Sequence, residues 1–430
     1  MPNIHKPHPS QPRPRTWLQA YTYGKITFAL VLVVSAIVVY TVTGVPVVLP
    51  DGMPAVVQIR DFPSEEALSD VDLGVVDDAL AAVRATNAEG AAAVSAKAAA
   101  VIEAGSGRVL YEKNADFPMP MASTTKVMTA LLAIEHGNLD AQVTIPPQAQ
   151  GVEGSSIWLE AGEHLTLQEL LYGLMLSSGN DAATAIAIHI AGDVPAFVDM
   201  MNAKAAALGC VNTRFANPHG LSAQGHYTTA RELAQITAEA MQHPAFVDLV
   251  STQNATIAWE GHPWKRSLKN KNKLLSTYDG CNGGKTGYTK EAGRCLVETA
   301  QRDGMQLVAV VLSAPDWFND CARMMDDTFA AYQMVEVESA LDVRVMSGHA
   351  ESVPVVFGQP VRLPVVWGEQ PEVTLMPVTM LTAPVKAGDT AGHAIVQLAG
   401  MQWEVPLVAA TDVPGNRFAD WFREVIEGFI

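Results

Sequence analysis

The sequence has few cysteines and carries none of the common zinc-binding motifs. Four cysteines (Cys210, Cys281, Cys295 and Cys321) in 430 residues cannot form a disulfide scaffold, and they make no C-x-x-C pair. The eleven histidines include no H-E-x-x-H pattern, which leaves a metalloprotease without support. We therefore expect neither a metal nor an organic cofactor. The cysteines could pair outside the cell or stay buried as free thiols.

Positive charge is scarce beyond the first 25 residues. The formal net charge is −17, although residues 1–25 carry Lys6, Arg13, Arg15 and Lys25 and no acid. The rest of the chain is therefore strongly acidic and lacks the basic face that contacts with nucleic-acid phosphates require. We expect no nucleic-acid partner.

The only long uncharged stretch near the N-terminus is ITFALVLVVSAIVVYTVTGVPVVLP, residues 26–50. About 20 apolar residues span a bilayer, whereas the apolar region of a secretory signal has about 7–15. We predict a transmembrane anchor at 26–49, with a cleaved signal segment as the alternative. The preceding cations place the Pro-rich tail 1–25 in the cytoplasm and the rest of the chain outside it.

The composition and the hydrophobic pattern change along the rest of the chain. Residues 50–95, first acidic and then alanine-rich, are predicted to form a spacer. From residue 96 two strands flank a turn at 105–107, helical periodicity dominates from 123 to about 250, and three strands over 282–315 precede a helix at 320–334. This order predicts an α+β domain over 96–335, an antiparallel sheet covered by helices with a helical block inserted between its strands.

Two further segments complete the predicted organisation. Short strands separated by Pro and Gly predict a small all-β domain over 336–412. Residues 413–430 place Phe418, Trp421 and Phe422 on one face of an amphipathic helix. That helix either packs on its own domain or lies in a membrane interface.

Three motifs that carry acyl-transfer chemistry each occur once, in the order S-x-x-K (123–126), S-G-N (178–180) and K-T-G (285–287). Ser123 lies at the predicted first turn of a helix, where unpaired N–H groups face a developing oxyanion. A serine nucleophile needs a base. An apolar setting and a second lysine would favour the neutral amine of Lys126, which can then accept the proton. The helix after S-G-N begins with Asn180 and Asp181, which we interpret as caps.

These motifs and the stretches around them resemble the D-alanyl-D-alanine carboxypeptidases, which are low-molecular-mass penicillin-binding proteins. The similar stretches are VIEAGSGRVLYEKN, MASTTKVMTALLAIE, LLYGLMLSSGNDAATAIA, FANPHGLSAQGHYTTARELA and GGKTGYTKEAG. They cover roughly 96–335, and the resemblance extends more loosely over the β domain to about 412. It implies a β-lactamase-like transpeptidase domain that works on peptidoglycan outside a bacterial membrane and is inhibited by β-lactams.

The resemblance also implies a role for each motif residue. Ser123 would be the acylated nucleophile, Lys126 its base, and Ser178 the relay that passes the proton to the leaving D-alanine.

Five further residues, Asn180, Lys285, Thr286, Gly287 and Tyr288, would bind the substrate. Asn180 would hold the substrate amide, Lys285 would orient the terminal carboxylate, and Thr286 would donate to that carboxylate. The backbone N–H groups of Tyr288 and of the nucleophile would form the oxyanion hole.

Three other functions remain alternatives. A peptidoglycan endopeptidase uses the same three motifs. A class A β-lactamase is disfavoured, because none of Glu232, Glu239 and Glu260 has an Asn four places later. An inactive peptidoglycan-binding protein is disfavoured by the intact serine and lysines. Structural roles are assigned to five other residues, His219, His226, Phe215, Trp158 and Trp317, the aromatic ones in the core or at the rim.

Overall fold

The computed structural model describes residues 94–416. The predicted anchor, nearly all of the spacer and most of the predicted C-terminal helix lie outside these residues. Within them, no single helix meets the length and hydropathy of a membrane span. The helices Asn180–Ala191 and Val194–Ala207 meet those criteria only as a pair, and they are bent by 84° at their junction.

Helices and strands alternate along the described chain as follows. The α-helices are α1 (Lys126–His136), α2 (Leu167–Met175), α3 (Asn180–Ala191), α4 (Val194–Ala207), α5 (Ala230–Met241), α6 (Pro244–Ser251), α7 (Leu274–Thr277) and α8 (Trp317–Ala331), with short 3-10 helices at Ala122–Thr125 and Pro147–Ala149. The strands before α8 are β1 (Ala98–Glu103), β2 (Val109–Lys113), β3 (Gln142–Thr144), β4 (His164–Thr166), β5 (Asn254–Ile257), β6 (Arg266–Lys269), β7 (Cys281–Thr289), β8 (Gly293–Arg302) and β9 (Met305–Leu312). Those after it are β10 (Tyr332–Val337), β11 (Ala340–Met346), β12 (Ser352–Phe357), β13 (Val361–Val366), β14 (Glu372–Pro377), β15 (Leu381–Thr382), β16 (Thr390–Leu398) and β17 (Met401–Ala409).

The first domain is built on a five-stranded antiparallel sheet with the order β2-β1-β9-β8-β7. Its central strands are buried on both faces, because α5 packs on one face and α8 on the other. Leu233 of α5 and Met324 of α8 belong to these two separate cores. The chain leaves the sheet after β2 and returns at β7, so the predicted helical insertion and the predicted fold class are both confirmed.

The helical block has its own core around α1. Four helices contribute fully buried side chains to one cluster, namely Leu131 of α1, Leu170 of α2, Ile186 of α3 and Phe197 of α4. The block is stabilised at its helix ends as well. The Thr166 hydroxyl accepts from the N–H of Glu169, whose carboxylate accepts from the N–H of Thr166, which is a capping box at the start of α2.

The structure corrects the assignments of four helices. The predicted helix at 320–334 spans 317–331, because the alternating residues after Ala331 pair with β13 as strand β10. Helix α3 is preceded by Gly179 and has no side-chain cap, so Asn180 and Asp181 are not caps. Helices α4 and α6 were not predicted; Asp193 caps α4 with its side chain and Pro244 opens α6.

The second domain is all β, as predicted. A six-stranded sheet has the order β14-β16-β17-β12-β11-β15, and β10 and β13 form a two-stranded sheet. An ion pair joins this domain to the first hairpin of the sheet. The guanidinium of Arg108 donates to both carboxylate oxygens of Glu369 at 2.8 Å and also to the carbonyl of Pro364. The indole N–H of Trp403 donates to the carbonyl of Ser106 at 3.0 Å.

Candidate active site

Ser123 and Lys126 stand at the point where the 3-10 helix Ala122–Thr125 runs into α1. The Lys126 side chain is 0% exposed, and its Nζ lies 3.0 Å from the Oγ of Ser123. The next residues of α1, among them Val127 and Leu131, are buried in the helical core. The core therefore fixes the helix, and the helix holds the amine against the hydroxyl.

Two further oxygens surround the Lys126 amine. Nζ donates to Oδ1 of Asn180 at 2.7 Å and to the backbone carbonyl of His219 at 2.6 Å. The amide of Asn180 is oriented by its other end, because Nδ2 donates to the carbonyl of Glu153 at 2.6 Å. Neither oxygen can donate a proton. A neutral lysine has two N–H bonds, so these two acceptors use both and leave its lone pair facing the hydroxyl of Ser123.

The electrostatics of the site favour that neutral amine. Burial lowers the pKa of Lys126 well below its usual range, and the positive charges of Lys285 and Lys271 lower it further. The carboxylate of Asp181 opposes this shift with a smaller contribution. Lys126 is thus poised to accept a proton at neutral pH.

Ser178 and Lys285 form the opposite wall. Ser178 has a left-handed backbone (φ +64°), which is uncommon for a serine and turns the chain sharply between α2 and α3. The Nζ of Lys285, on β7, lies 3.0 Å from the Oγ of Ser178 and donates to the carbonyl of Thr286 at 2.6 Å. Burial, and then the charge of Lys271, lower the pKa of Lys285 to about 7.

The edge strand β7 approaches the nucleophile closely. A Cβ on Gly287 would lie 2.9 Å from the backbone nitrogen of Ser123 and 3.0 Å from that of Thr124, so only glycine fits there without a shift. Thr286 is buried at 8% exposure, whereas the side chain of Tyr288 points outward and is 63% exposed. The structure thus brings five predicted side chains together in the cleft between the sheet edge and the helical block, those of Ser123, Lys126, Ser178, Asn180 and Lys285. Gly287 packs on the backbone of the nucleophile, and Thr286 and Tyr288 are its neighbours on β7.

Several groups in this cleft were missed from the sequence. The carbonyl of His219 contacts Lys126 and lies 3.4 Å from the Oγ of Ser123. Gly220, next to it, has φ +90°, and a Cβ there would lie 2.0 Å from the carbonyl oxygen of Ala122. The H-G pair in the stretch NPHGL was the available signal, because glycine is the default residue where two backbones meet.

The two histidines act through the backbone or through local hydrogen bonds. The ring of His226 accepts from the N–H of Ala216 at 3.0 Å and lies 2.8 Å from the hydroxyl of Thr125. Burial, and then the charge of Lys126, lower the pKa of both His219 and His226 to about 4. Both rings are therefore neutral at pH 7 and supply no charge to the cleft.

Asp181 and Asn180 organise the loop that borders the cleft. The carboxylate of Asp181 accepts from the hydroxyl of Ser156 and from the N–H groups of Ile157 and Leu159. The N–H of Asn180 donates to the carbonyl of Ser155 at 2.7 Å. These two side chains are thus committed to the site and its wall, which explains why neither caps α3.

A buried carboxyl lies behind β7. Glu298, on β8, is 0% exposed; its Oε1 accepts from Asn272 at 2.8 Å and from the thiol of Cys281 at 2.9 Å. Its Oε2 has no hydrogen-bond partner among the described residues. Burial raises the pKa of Glu298 to about 8. All four cysteines are free thiols.

Comparison with known proteins agrees with this geometry. A family model described as D-alanyl-D-alanine carboxypeptidase matches residues 84–316, and one described as the C-terminal domain of penicillin-binding protein 5 matches 329–415. The D-alanyl-D-alanine carboxypeptidase DacF of Bacillus subtilis is 32% identical over 77% of this chain and 89% of its own length. A D-alanyl-D-alanine endopeptidase of Pseudomonas aeruginosa is 33% identical over 49% of this chain and 70% of its own. The crystal structure of penicillin-binding protein 5 from Haemophilus influenzae covers 75% of this chain and 98% of its own, with 28% identity and a TM-score of 0.61.

Proposed function

The chain belongs to the D-alanyl-D-alanine carboxypeptidase family of serine peptidases, and we propose that its cleft removes the terminal D-alanine from peptidoglycan stem pentapeptides through an ester on Ser123. The observation that carries this proposal is the Lys126 amine, buried, 3.0 Å from the Ser123 hydroxyl and held by two acceptors that leave its lone pair free. Such an amine can activate a serine at neutral pH.

Acylation begins when the neutral amine of Lys126 takes the hydroxyl proton of Ser123. Oγ then attacks the carbonyl carbon of the penultimate D-alanine, and the backbone N–H groups of Ser123 and Tyr288 stabilise the oxyanion. When the C–N bond breaks, the leaving amine of the terminal D-alanine takes a proton from Ser178, which is resupplied from the Lys126 ammonium. The products are an ester on Ser123 and free D-alanine.

Deacylation repeats the same proton transfers with water. A water molecule loses a proton to Lys126 and attacks the ester carbonyl, after which Ser123 recovers its proton and the shortened peptide leaves. Lys285, in its protonated form, binds the terminal carboxylate of the incoming peptide beside Thr286. A β-lactam, which presents a carboxylate next to a reactive amide, occupies the same positions and acylates the same oxygen.

The alternatives are less well supported. The relative named as an endopeptidase matches 49% of this chain, whereas the carboxypeptidase of Bacillus subtilis matches 77%. The chain lacks the E-x-x-x-N pattern that would hold a deacylating water in a class A β-lactamase. We retain the carboxypeptidase reaction.

The same proposal places the reaction outside a bacterial membrane. Its support is the charge-free segment 26–50 behind four cations, together with a substrate that is assembled outside the cytoplasm. Sedimentation of the full chain with membranes, and its release by protease added outside spheroplasts, would support this location. Recovery of the full chain in the soluble cytoplasmic fraction would contradict it.

The function is tested by labelling the full chain with a fluorescent penicillin and by measuring D-alanine released from a pentapeptide ending in D-Ala-D-Ala. We expect a covalent adduct on Ser123 and stoichiometric D-alanine, both abolished in Ser123→Ala. Ser222→Ala, which changes an exposed serine, is the matched control and should keep both activities. Labelling that survives Ser123→Ala, or cleavage of cross-linked dimers alone, would overturn the assignment.

A further inference from the structure

Trp158 is presented to solvent by an unusually well-fixed loop. Its side chain is 71% exposed, and its backbone is left-handed, with φ +61°. The N–H groups on both sides of it, from Ile157 and Leu159, bind the carboxylate of Asp181. Its own carbonyl accepts from Arg266 at 2.8 Å. A strained conformation that the surroundings hold this firmly is typical of a functional position.

A row of aromatic rings continues from the same arginine. The guanidinium of Arg266 lies 4.6 Å from the ring centre of Trp259, whose ring is 4.5 Å from His262, which is in turn 5.6 Å from Trp264. Trp264 is 59% exposed. His262 also contacts Glu160, two residues after Trp158, at 3.2 Å. The segment that carries Trp158 and the segment that carries the other three rings are therefore held together by Glu160 and Arg266. We call Trp158, Trp259, His262 and Trp264 the aromatic platform.

The aromatic platform is continuous with the wall of the cleft. The carbonyls of Glu153 and Ser155 accept from the side chain and the backbone of Asn180, at 2.6 and 2.7 Å. The hydroxyl of Ser155 lies 3.3 Å from the amine of Lys271. Trp158 is thus only three residues along the chain from Ser155, whose carbonyl accepts from the N–H of Asn180 at the wall of the cleft.

We propose that the aromatic platform binds neutral sugar rings of the glycan strand to which the stem peptide is attached. This inference rests on the proposed function, because it assigns the part of that substrate lying outside the cleft. An exposed indole offers a large, rigid surface at little cost in side-chain entropy, and its face suits the C–H face of a sugar ring. Exposed aromatic patches of this kind mark binding sites.

The charges around the platform favour a sugar over a membrane. Exposed carboxylates of Glu153, Glu160 and Glu260 lie on these segments, against the exposed cations Lys265, next to Trp264, and Lys271, whose amine lies 3.3 Å from the hydroxyl of Ser155. Anionic lipid headgroups attract clustered cations and are repelled by such a surface. An uncharged sugar is not repelled and can stack on the exposed indoles of Trp158 and Trp264.

The test compares two substrates on the full chain, a sugar-free pentapeptide and the same pentapeptide on a disaccharide. We expect kcat/KM for the disaccharide form to exceed that for the free peptide by about tenfold in the wild type, and this ratio to fall to about one in Trp158→Ala. Trp158→Phe should keep an intermediate ratio. Trp367→Ala, which removes a tryptophan that is 80% exposed in the β domain, is the matched control and should keep the wild-type ratio.

A second measurement separates this inference from the proposed function. Calorimetric titration of the full chain with glycan oligomers that lack stem peptides should show binding that Trp158→Ala loses. If D-alanine is not released from either substrate but this binding is present, the proposed function fails and the platform stands. A ratio near one in the wild type, a ratio unchanged in Trp158→Ala, or Trp158-dependent sedimentation with anionic vesicles without glycan binding would overturn the platform.

Discussion

Replacement of Gly220 by alanine should disable the nucleophile without touching any side chain of the cleft. The added Cβ would lie 2.0 Å from the carbonyl oxygen of Ala122, 2.4 Å from its carbon and 2.9 Å from the nitrogen of Ser123. Real Cβ contacts are essentially never shorter than 3.0 Å, so the turn that carries Ser123 must move by about 1 Å. A displacement of that size costs roughly 100-fold in rate. The left-handed backbone adds a stability loss of about 1–2 kcal/mol.

The assay is the rate of covalent labelling by a fluorescent penicillin, with thermal unfolding measured in parallel. Gly209→Ala is the matched control, because Gly209 also has a left-handed backbone (φ +76°) but has no atom within 4 Å of the added Cβ. We expect both variants to lose similar stability from the backbone, and only Gly220→Ala to acylate slowly. Labelling of Gly220→Ala at the wild-type rate would refute the steric reasoning, and so would equal slowing of Gly209→Ala.

Three further predictions concern buried ionisable groups. Lys126→Arg should lower the acylation rate by roughly 10³-fold at every pH, measured by stopped flow, because a guanidinium accepts no proton; recovery at high pH would contradict it. The pKa of Lys285 is about 7, so kcat/KM should fall as pH rises through 7 and the carboxylate-binding cation is lost, and Lys285→Arg should remove that dependence. The pKa of Glu298 is about 8 in the folded chain against 4.5 normally, so the folded state binds the extra proton and wild-type stability falls as pH rises through this window. The free energy of unfolding of Glu298→Gln, measured in urea, should therefore rise relative to that of the wild type as pH increases from 5 to 8. A difference between the two proteins that stays the same across this range would contradict the prediction.

The sequence predicted the sheet and the motif residues because both are encoded locally. Short apolar runs bounded by turn residues identified β1, β2 and the three strands from β7 to β9. The three motifs S-x-x-K, S-G-N and K-T-G, in that order, identified Ser123 and Lys126. The neutral state of Lys126 was also predictable in direction, because a lysine inside an apolar helix with a second lysine nearby has little stabilisation as a cation.

The backbone parts of the site could not be predicted in the same way. The carbonyl of His219 has no side-chain signature, and its contact with Lys126 joins residues 93 positions apart. Asn180 and Asp181 have the composition of helix caps, yet tertiary contacts with Lys126 and with the 156–159 loop override that local preference. The end of α8 was misjudged for a related reason, since pairing with β13, not local propensity, makes Tyr332 the start of a strand.

The fork of Arg108 on Glu369, with Trp403 on Ser106 beside it, ties the β domain to the turn of the first hairpin. Rotation of the β domain away from this hairpin would have to break both contacts and expose a buried guanidinium. Because the hairpin belongs to the same five-stranded sheet as β7, we expect the β domain and the strand that borders the cleft to move together as one body.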